Sequence, residues 1–361
     1  MRIQAALVEA PGGPFTIRDI DIEKPRADEI LVRITAAGIC HTDLTMRRYG
    51  RPGHSAMVFG HEGAGVVEAV GETVTGVVPG DTVCLSYLSC GACAPCQAGH
   101  PAYCVHMDLN ARGARADGSS PLSLHGAPVF GNYFGQSSFA TYALATERNT
   151  VKIPADLSPV LAAPLGCGVQ TGAGTVLNVL RPEPGGTVAI FGAGGVGLSA
   201  LMAAVSLDCA VVAVDPVAAR RELAVELGAA AAIDPAAGDV IAAVRDLTGG
   251  GAHHAVDTTG RSDVINQAVG GLRRRGDLAL VGLGGATEID IMAVMAQGVR
   301  IHGVIEGDAA PADFIPRLID LHRQGRLPVE KLIVEYPFAD IEAAAQDAAA
   351  GRTIKPVLTF G

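Results

Sequence analysis

The chain has 361 residues, 49% hydrophobic and 18% charged, with a formal net charge of −10. That length accommodates two domains, and the composition excludes wholesale disorder. An acidic chain without a basic face is a poor nucleic-acid binder, because contacts to phosphate supply most of that affinity.

No apolar run reaches the about 20 uninterrupted residues of a membrane span. The opening segment MRIQAALVEAPGGP lacks a signal-peptide core, since Glu9 and the Pro/Gly cluster cut it short. A cytoplasmic address is therefore expected, with no membrane partner. In a reducing compartment the eight cysteines do not count disulfides, and clustered cysteines point to metal.

Up to about residue 160 the pattern is β-rich. Short alternating segments at 4–9, 15–22, 29–35 and 64–78 are separated by Pro, Gly and Asp, and Pro79-Gly80-Asp81 marks a turn before 82–85. The pattern changes near Pro164. Apolar strands at 187–191, 210–214, 230–233, 254–258, 278–281 and 300–305 then alternate with helical stretches at 195–207, 217–227, 239–247 and 263–272. Six strands with helical crossovers predict a doubly wound parallel sheet. Arg273, Arg274 and Arg275 read as a solvated turn before one of these strands. The tail carries a helix at 311–324 and a last strand at 354–360, which is expected to return to the first domain.

Gly192-Ala-Gly194-Gly195-Val196-Gly197 follows the strand TVAIF and opens an apolar helix. Such glycines allow a tight turn, backbone approach to a pyrophosphate and close helix–strand packing. A glycine-rich turn alone is a weak signal, but the next strand ends in Asp215, where a carboxylate accepts from adenosine ribose hydroxyls. That charge repels a 2′-phosphate and favours NAD over NADP. Arg220 is placed to reach the ribose, or to stand as a plain surface arginine.

Cys90-x2-Cys93-x2-Cys96-x7-Cys104 is the most specific pattern in the chain. Four thiolates in one short loop can close a tetrahedral shell around zinc with no open position. An iron–sulfur cluster competes for such spacing, although nothing else in the chain points to electron transfer. Cys40, His61 and Cys167 lie far apart in sequence, and no spacing rule joins them; by residue type alone each reads as a buried thiol or an ordinary histidine.

Gly-Ile-Cys40-His41-Thr42-Asp43, Gly60-His61-Glu62-Gly63-x-Gly65, the four-cysteine lobe, Gly166-Cys167-Gly168 and the Gly192–Gly197 loop occur in an order that resembles the zinc-containing medium-chain alcohol dehydrogenases. The resemblance extends to Ile354-Lys355-Pro-Val-Leu-Thr-Phe. Within that family the segments Phe134-Gly-Gln-Ser-Ser-Phe139 and Ile305-Glu306-Gly307-Asp308 are most similar to aryl- or benzyl-alcohol dehydrogenases. The resemblance implies a GroES-like catalytic domain over residues 1–166 and 305–361 and a Rossmann cofactor domain over 167–304. It implies two zinc ions per chain: a structural one on the lobe and a catalytic one on Cys40, His61 and Cys167, with Glu62 beside it and Asp43 orienting His61. Thr42 would relay the proton. Thr171 and Val281 would face the cofactor, His41 and Lys355 would meet its pyrophosphate, and Leu109, Tyr133, Phe134, Leu283 and Ile305 would line the alcohol pocket. The expected reaction is NAD-linked oxidation of a primary, benzylic or allylic alcohol to its aldehyde, in a homodimer or homotetramer.

Two residues depart from the family pattern. Thr45 stands where some members end the proton relay with histidine, so the relay must end elsewhere. His41 stands where many carry arginine, and a histidine is only partly charged near neutrality, so cofactor retention is expected to weaken as pH rises. Three rivals remain at this point: a thiol-dependent formaldehyde dehydrogenase, a reductase of a conjugated aldehyde or iminium, and a non-catalytic scaffold that keeps only the structural zinc. The absence of Lys or Arg between residues 105 and 109 argues against the first.

Overall fold

The computed structural model describes residues 1–50 and 56–361. Packing divides them into two units. The first comprises Met1–Cys167, Ala310–Pro316 and Glu330–Gly361; the second comprises Gly168–Ala309 and Arg317–Val329. Against the boundaries expected at 166/167 and 304/305, the return of the chain falls five residues later, and residues 317–329 pack with the second unit.

The first unit holds a five-stranded and a seven-stranded sheet. The strand Glu29–Gly38 lies at the centre of the larger one. Its sequence, EILVRITAAG, is apolar on both faces for most of its length, as an interior strand must be. Register shifts at Leu31/Val32 and Ile34/Ala36 bend it against Glu62–Val70. Its first half can then pair with Tyr142–Thr146 and its last three residues with Lys355–Thr359. Ile30, Val32, Ile34, Val67, Val83, Phe59, Phe130 and Phe139 fill the core beneath.

The second unit is built on a six-stranded sheet, parallel throughout, in the order Ala231–Ile233, Ala210–Val214, Thr187–Phe191, Ala252–Asp257, Leu272–Leu280, Arg300–Gly303. The helices Gly195–Val205, Ala218–Glu226, Val240–Leu247 and Ser262–Gly271 occupy the predicted crossovers. The mixed α/β architecture, a β-rich first unit and a Rossmann-like second one, is the one expected. Details differ. Arg273, Arg274 and Arg275 are exposed, but they sit in an irregularity within the strand Leu272–Leu280 instead of preceding it. Helix Ile291–Gln297 and the elements Ile333–Pro337 and Ile341–Ala349 were not foreseen. Among the described residues no single helix is long and apolar enough to cross a membrane.

Candidate active site

Two groups of side chains among the described residues converge as metal ligands do, with the ligand atoms of each group within 4.8 Å of one another: Cys90, Cys93, Cys96 and Cys104, and Cys40, His61 and Cys167. In the lobe, Cys93 Sγ lies 3.4 Å from Cys96 Sγ and 3.9 Å from Cys104 Sγ. Backbone amides point at the sulfurs: Cys93 and Ala92 donate to Cys90 Sγ, and Cys90 and His106 donate to Cys104 Sγ. Gly91 makes the turn at φ +68°, where a Cβ would strike the Arg148 guanidinium. Backbone N–H groups, Val105 first, bring the Cys93 thiol down to about 6. Burial, and then the neighbouring sulfur of Cys93, push Cys96 up to about 12. Four sulfurs this close, held by backbone amides, suit a divalent ion, around which thiolates close a tetrahedral shell.

The second group is assembled from three ends of elements. Cys40 caps the helix His41–Tyr49, His61 precedes the strand Glu62–Val70, and Cys167 follows the short turn Ala163–Gly166. One buried carboxylate ties two of them together. Asp43 Oδ2 accepts from the Cys40 amide at 3.0 Å, completing the helix cap, while Oδ1 accepts from Gly60 N at 3.1 Å and meets His61 Nδ1 at 2.9 Å. That contact places the His61 proton on Nδ1 and leaves Nε2 with a lone pair. His61 Nε2 is buried and has no hydrogen-bond partner. A buried orphan acceptor beside two cysteine sulfurs fits a metal ion and little else. The hydrogen bond with Cys167, helped by the charge of Lys355 and opposed by burial, holds the Cys40 thiol well below its ordinary value.

Thr42, expected to relay the proton, has its Oγ1 3.7 Å from Cys40 Sγ. Phe134 stacks on the His61 ring at 4.5 Å and 26°, from a left-handed backbone at φ +52°, and Tyr133 meets the same ring edge-on at 5.6 Å. Leu109 is half-buried in the turn of helix Asp108–Ala111, while Leu283 and Ile305 are exposed residues of the second unit. Thr45 is half-buried on the helix His41–Tyr49, and His41 begins that helix exposed.

Lys355, expected at the pyrophosphate, is buried, with Nζ 2.7 Å from Glu62 Oε1 and 2.8 Å from Oε2, and 3.4 Å from Ile39 O. Antiparallel pairing of Lys355–Thr359 with Glu29–Gly38 carries the ammonium inward. Gly38 leaves the room that Glu62 needs, since a Cβ there would lie 2.1 Å from Glu62 Oε2.

In the second unit the glycine loop has the geometry its sequence implies. Gly192 has φ +94°, nothing lies within 4 Å of a Cβ at Gly194, and a Cβ at Gly197 would sit 1.8 Å from Gly192 O. Gly194 caps the helix that starts with Gly195 and Val196. Asp215 is buried; its Oδ2 accepts from Ala193 N at 2.7 Å and its Oδ1 from Val217 N at 2.8 Å, with Arg220 3.9 Å away. Thr171 Oγ1 lies 3.4 Å from Glu306 Oε2, which also accepts from Gln170 at 2.9 Å. In the sequence Glu306 stands only within the Ile305–Asp308 segment; its place beside Thr171 shows in the fold alone. Val281 donates its amide to Asp257 O.

Comparison with known proteins agrees with this arrangement. The alcohol dehydrogenase GroES-like domain model matches residues 26–155, and the zinc-binding dehydrogenase model matches residues 195–323. A geraniol dehydrogenase of Castellaniella defragrans is 47% identical over 99% of this chain and 97% of its own. The crystal structure of an alcohol dehydrogenase zinc-binding domain protein from Burkholderia ambifaria matches with a TM-score of 0.97 and 46% identity, covering 100% of this chain and 99% of the other. That of benzyl alcohol dehydrogenase from Acinetobacter calcoaceticus matches with a TM-score of 0.96 and 41% identity over 100% of both chains. The chain belongs to the zinc-dependent medium-chain alcohol dehydrogenase family.

Proposed function

We propose that the protein oxidises a primary benzylic or allylic alcohol to its aldehyde with NAD, and that it holds two zinc ions per chain. The orphaned, buried Nε2 of His61 between Cys40 and Cys167 carries this reading. Cys40, His61 and Cys167 would hold the catalytic ion, with Glu62 close by, and Cys90, Cys93, Cys96 and Cys104 would hold the structural one. When bound at such a site, zinc supplies Lewis acidity, which lowers a hydroxyl pKa from 15.7 towards about 7. NAD supplies the hydride acceptor.

The chain's own residues do the rest. Asp43 keeps His61 in the tautomer that presents Nε2. Thr42, which can both accept and donate, takes the proton released from the alcohol and passes it on; with Thr45 in place of a terminal base, the relay ends in water or elsewhere. Phe134 and Tyr133 pack against the ligand His61 and offer a flat apolar wall, which suits a planar aryl or alkenyl group next to the reacting carbon. The names of the geraniol and benzyl alcohol relatives support the same substrate class. Asp215, at the end of the second strand, disfavours a 2′-phosphate. The abundant use of free thiols suits a reducing, cytoplasmic setting. The strand Arg300–Gly303 is an edge, and Ile291, Met292 and Met295 beside it in the chain are exposed, so a homodimer or homotetramer formed there is expected from light scattering.

Initial rates with benzyl alcohol and ethanol, each with NAD and NADP, test the reading when zinc is counted on the same sample. Expected are NAD-dependent turnover that is faster with benzyl alcohol, without added thiol, and about two zinc per chain. One zinc per chain would defeat the catalytic metal site. Turnover only with a thiol adduct of formaldehyde would favour the rival dehydrogenase.

A further inference from the structure

Gln136 belongs to the Phe134-Gly-Gln-Ser-Ser segment, yet neither the metal nor the alcohol claims it. Its side chain is 2% exposed and makes three hydrogen bonds. Nε2 donates to His61 O at 2.9 Å and to Ser86 O at 3.0 Å, and Oε1 accepts from Gly63 N at 3.1 Å. Ser86, fully buried just beyond the strand Thr82–Leu85, donates its hydroxyl to Gly166 O at 2.6 Å. The two carbonyls at the ends of this chain of bonds are telling. His61 O belongs to the peptide that leaves one metal ligand, and Gly166 O belongs to the peptide that enters another, Cys167.

We infer that Gln136, acting through Ser86, is a positioning residue that sets the separation between His61 and Cys167. A side-chain amide is planar, and its two N–H bonds diverge at a fixed angle. The His61 and Ser86 carbonyls are therefore held at one spacing, while Oε1 fixes the rotation of the amide by taking the Gly63 N–H. The Ser86 hydroxyl carries the constraint to Gly166. At that point the backbone cannot drift inward, since even a Cβ on Gly166 would lie 2.0 Å from Leu85 O. Residues 75, 50 and 80 positions apart are so joined. A tetrahedral site tolerates only about 0.2 Å in ligand distance. His61 and Cys167 stand on loop ends, which offer no such precision unless buried hydrogen bonds supply it. Asp43 orients the His61 ring; Gln136 places its backbone.

The inference rests on the proposed catalytic metal, and the test separates the two. Zinc release to an excess of chelator is followed from the whole protein, in wild type, Gln136→Leu and Ser86→Ala. Wild type is expected to release metal in two phases, one from Cys40, His61 and Cys167 and a slower one from the four-thiolate lobe. In both variants the first phase should quicken by about 10–100-fold, the usual effect of removing an outer hydrogen-bond partner of a metal site. The lobe phase should stay as in wild type, which certifies that the fold survives. The visible bands of cobalt placed at the first site should also shift, because they report ligand geometry. The inference fails if the first phase and the cobalt bands are unchanged, or if both phases quicken together, as general loosening would produce. Should Gln136→Leu not fold, Ser86→Ala decides by the same criteria. A single release phase in wild type, with one metal per chain, would overturn the metal reading and this inference with it.

Discussion

A carboxylate and an ammonium taken out of water destabilise a fold by several kcal/mol each unless they meet. Glu62 and Lys355 meet through both carboxylate oxygens, next to Cys40 and far from solvent. Burial pushes Glu62 up to about 7, even with Lys355 drawing it down. A carboxyl group raised in this way stabilises the fold fully below its ordinary range and loses that contribution as pH rises through about 7. Lys355 is what limits the loss. The substitution Lys355→Met is therefore expected to cost about 3–5 kcal/mol in urea unfolding of the metal-free protein. The deficit relative to wild type should be larger at pH 8 than at pH 5, and adding Glu62→Gln should recover part of it. A deficit independent of pH would mean that Glu62 is not the group left unpaired. The pair also shows where sequence stops. A lysine in Ile-Lys-Pro reads as the exposed start of a strand, and the carboxylate it meets lies 293 residues earlier. The lobe could be read from spacing because its four ligands are local. Cys40, His61 and Cys167 could be read only through a resemblance, because the fold, not the sequence interval, brings them together.

The strands of the parallel sheet were legible for a simple reason: interior strands such as VAIF and VVAV are apolar on both faces and end at glycine or aspartate. Helix Ile291–Gln297 was not, because IMAVMAQ is apolar on both sides, with Ala293 and Val294 packed on the core and Ile291, Met292 and Met295 exposed, so no helical period marks it. Next to it in sequence is the edge strand Arg300–Gly303, which is fastened to its neighbour by charge. Asp277 accepts from Arg300 at 2.6 Å and meets His302 Nε2 at 2.9 Å, with His254 at 3.6 Å. Burial would raise its carboxyl, but the hydrogen bonds from Arg300 and His302 outweigh that and hold it below the ordinary range. A depressed carboxylate contributes stability above its unfolded value and loses it as pH falls through the folded one. Asp277→Asn should therefore flatten the acid side of the stability profile and leave the neutral side lower. The chain has no tryptophan, so far-UV circular dichroism is the suitable probe. A variant whose acid limb matches wild type would contradict the assignment.

At the scale of the molecule, the two classes of unit were visible in the change from period-two segments to alternating strands and helices, and the comparisons agree with both. Less visible was how the first unit is completed. Its larger sheet is filled from both sides of an inserted second unit, and Lys355–Thr359 runs directly against Glu29–Gly38. The pattern of a last strand announces that it pairs, but not with which partner, since pairing partners are chosen by topology.

That interleaving has a consequence for biosynthesis. Chains fold as they leave the ribosome, normally from the first domain onward. Here the second unit is nearly continuous in sequence, whereas the first includes a strand made last, so the first unit is expected to close after the second. Roughly 190 residues separate Cys167 from Lys355, and at about 5–20 residues per second that is a delay of about 10–40 s. Through that interval the nascent protein already owns its thiols and His61 but not the ammonium that neutralises Glu62. Cys40, His61 and Cys167 would thus gain their Glu62–Lys355 neighbour late, whereas the compact four-cysteine loop, with all its cysteines within fifteen residues, is complete as soon as it emerges.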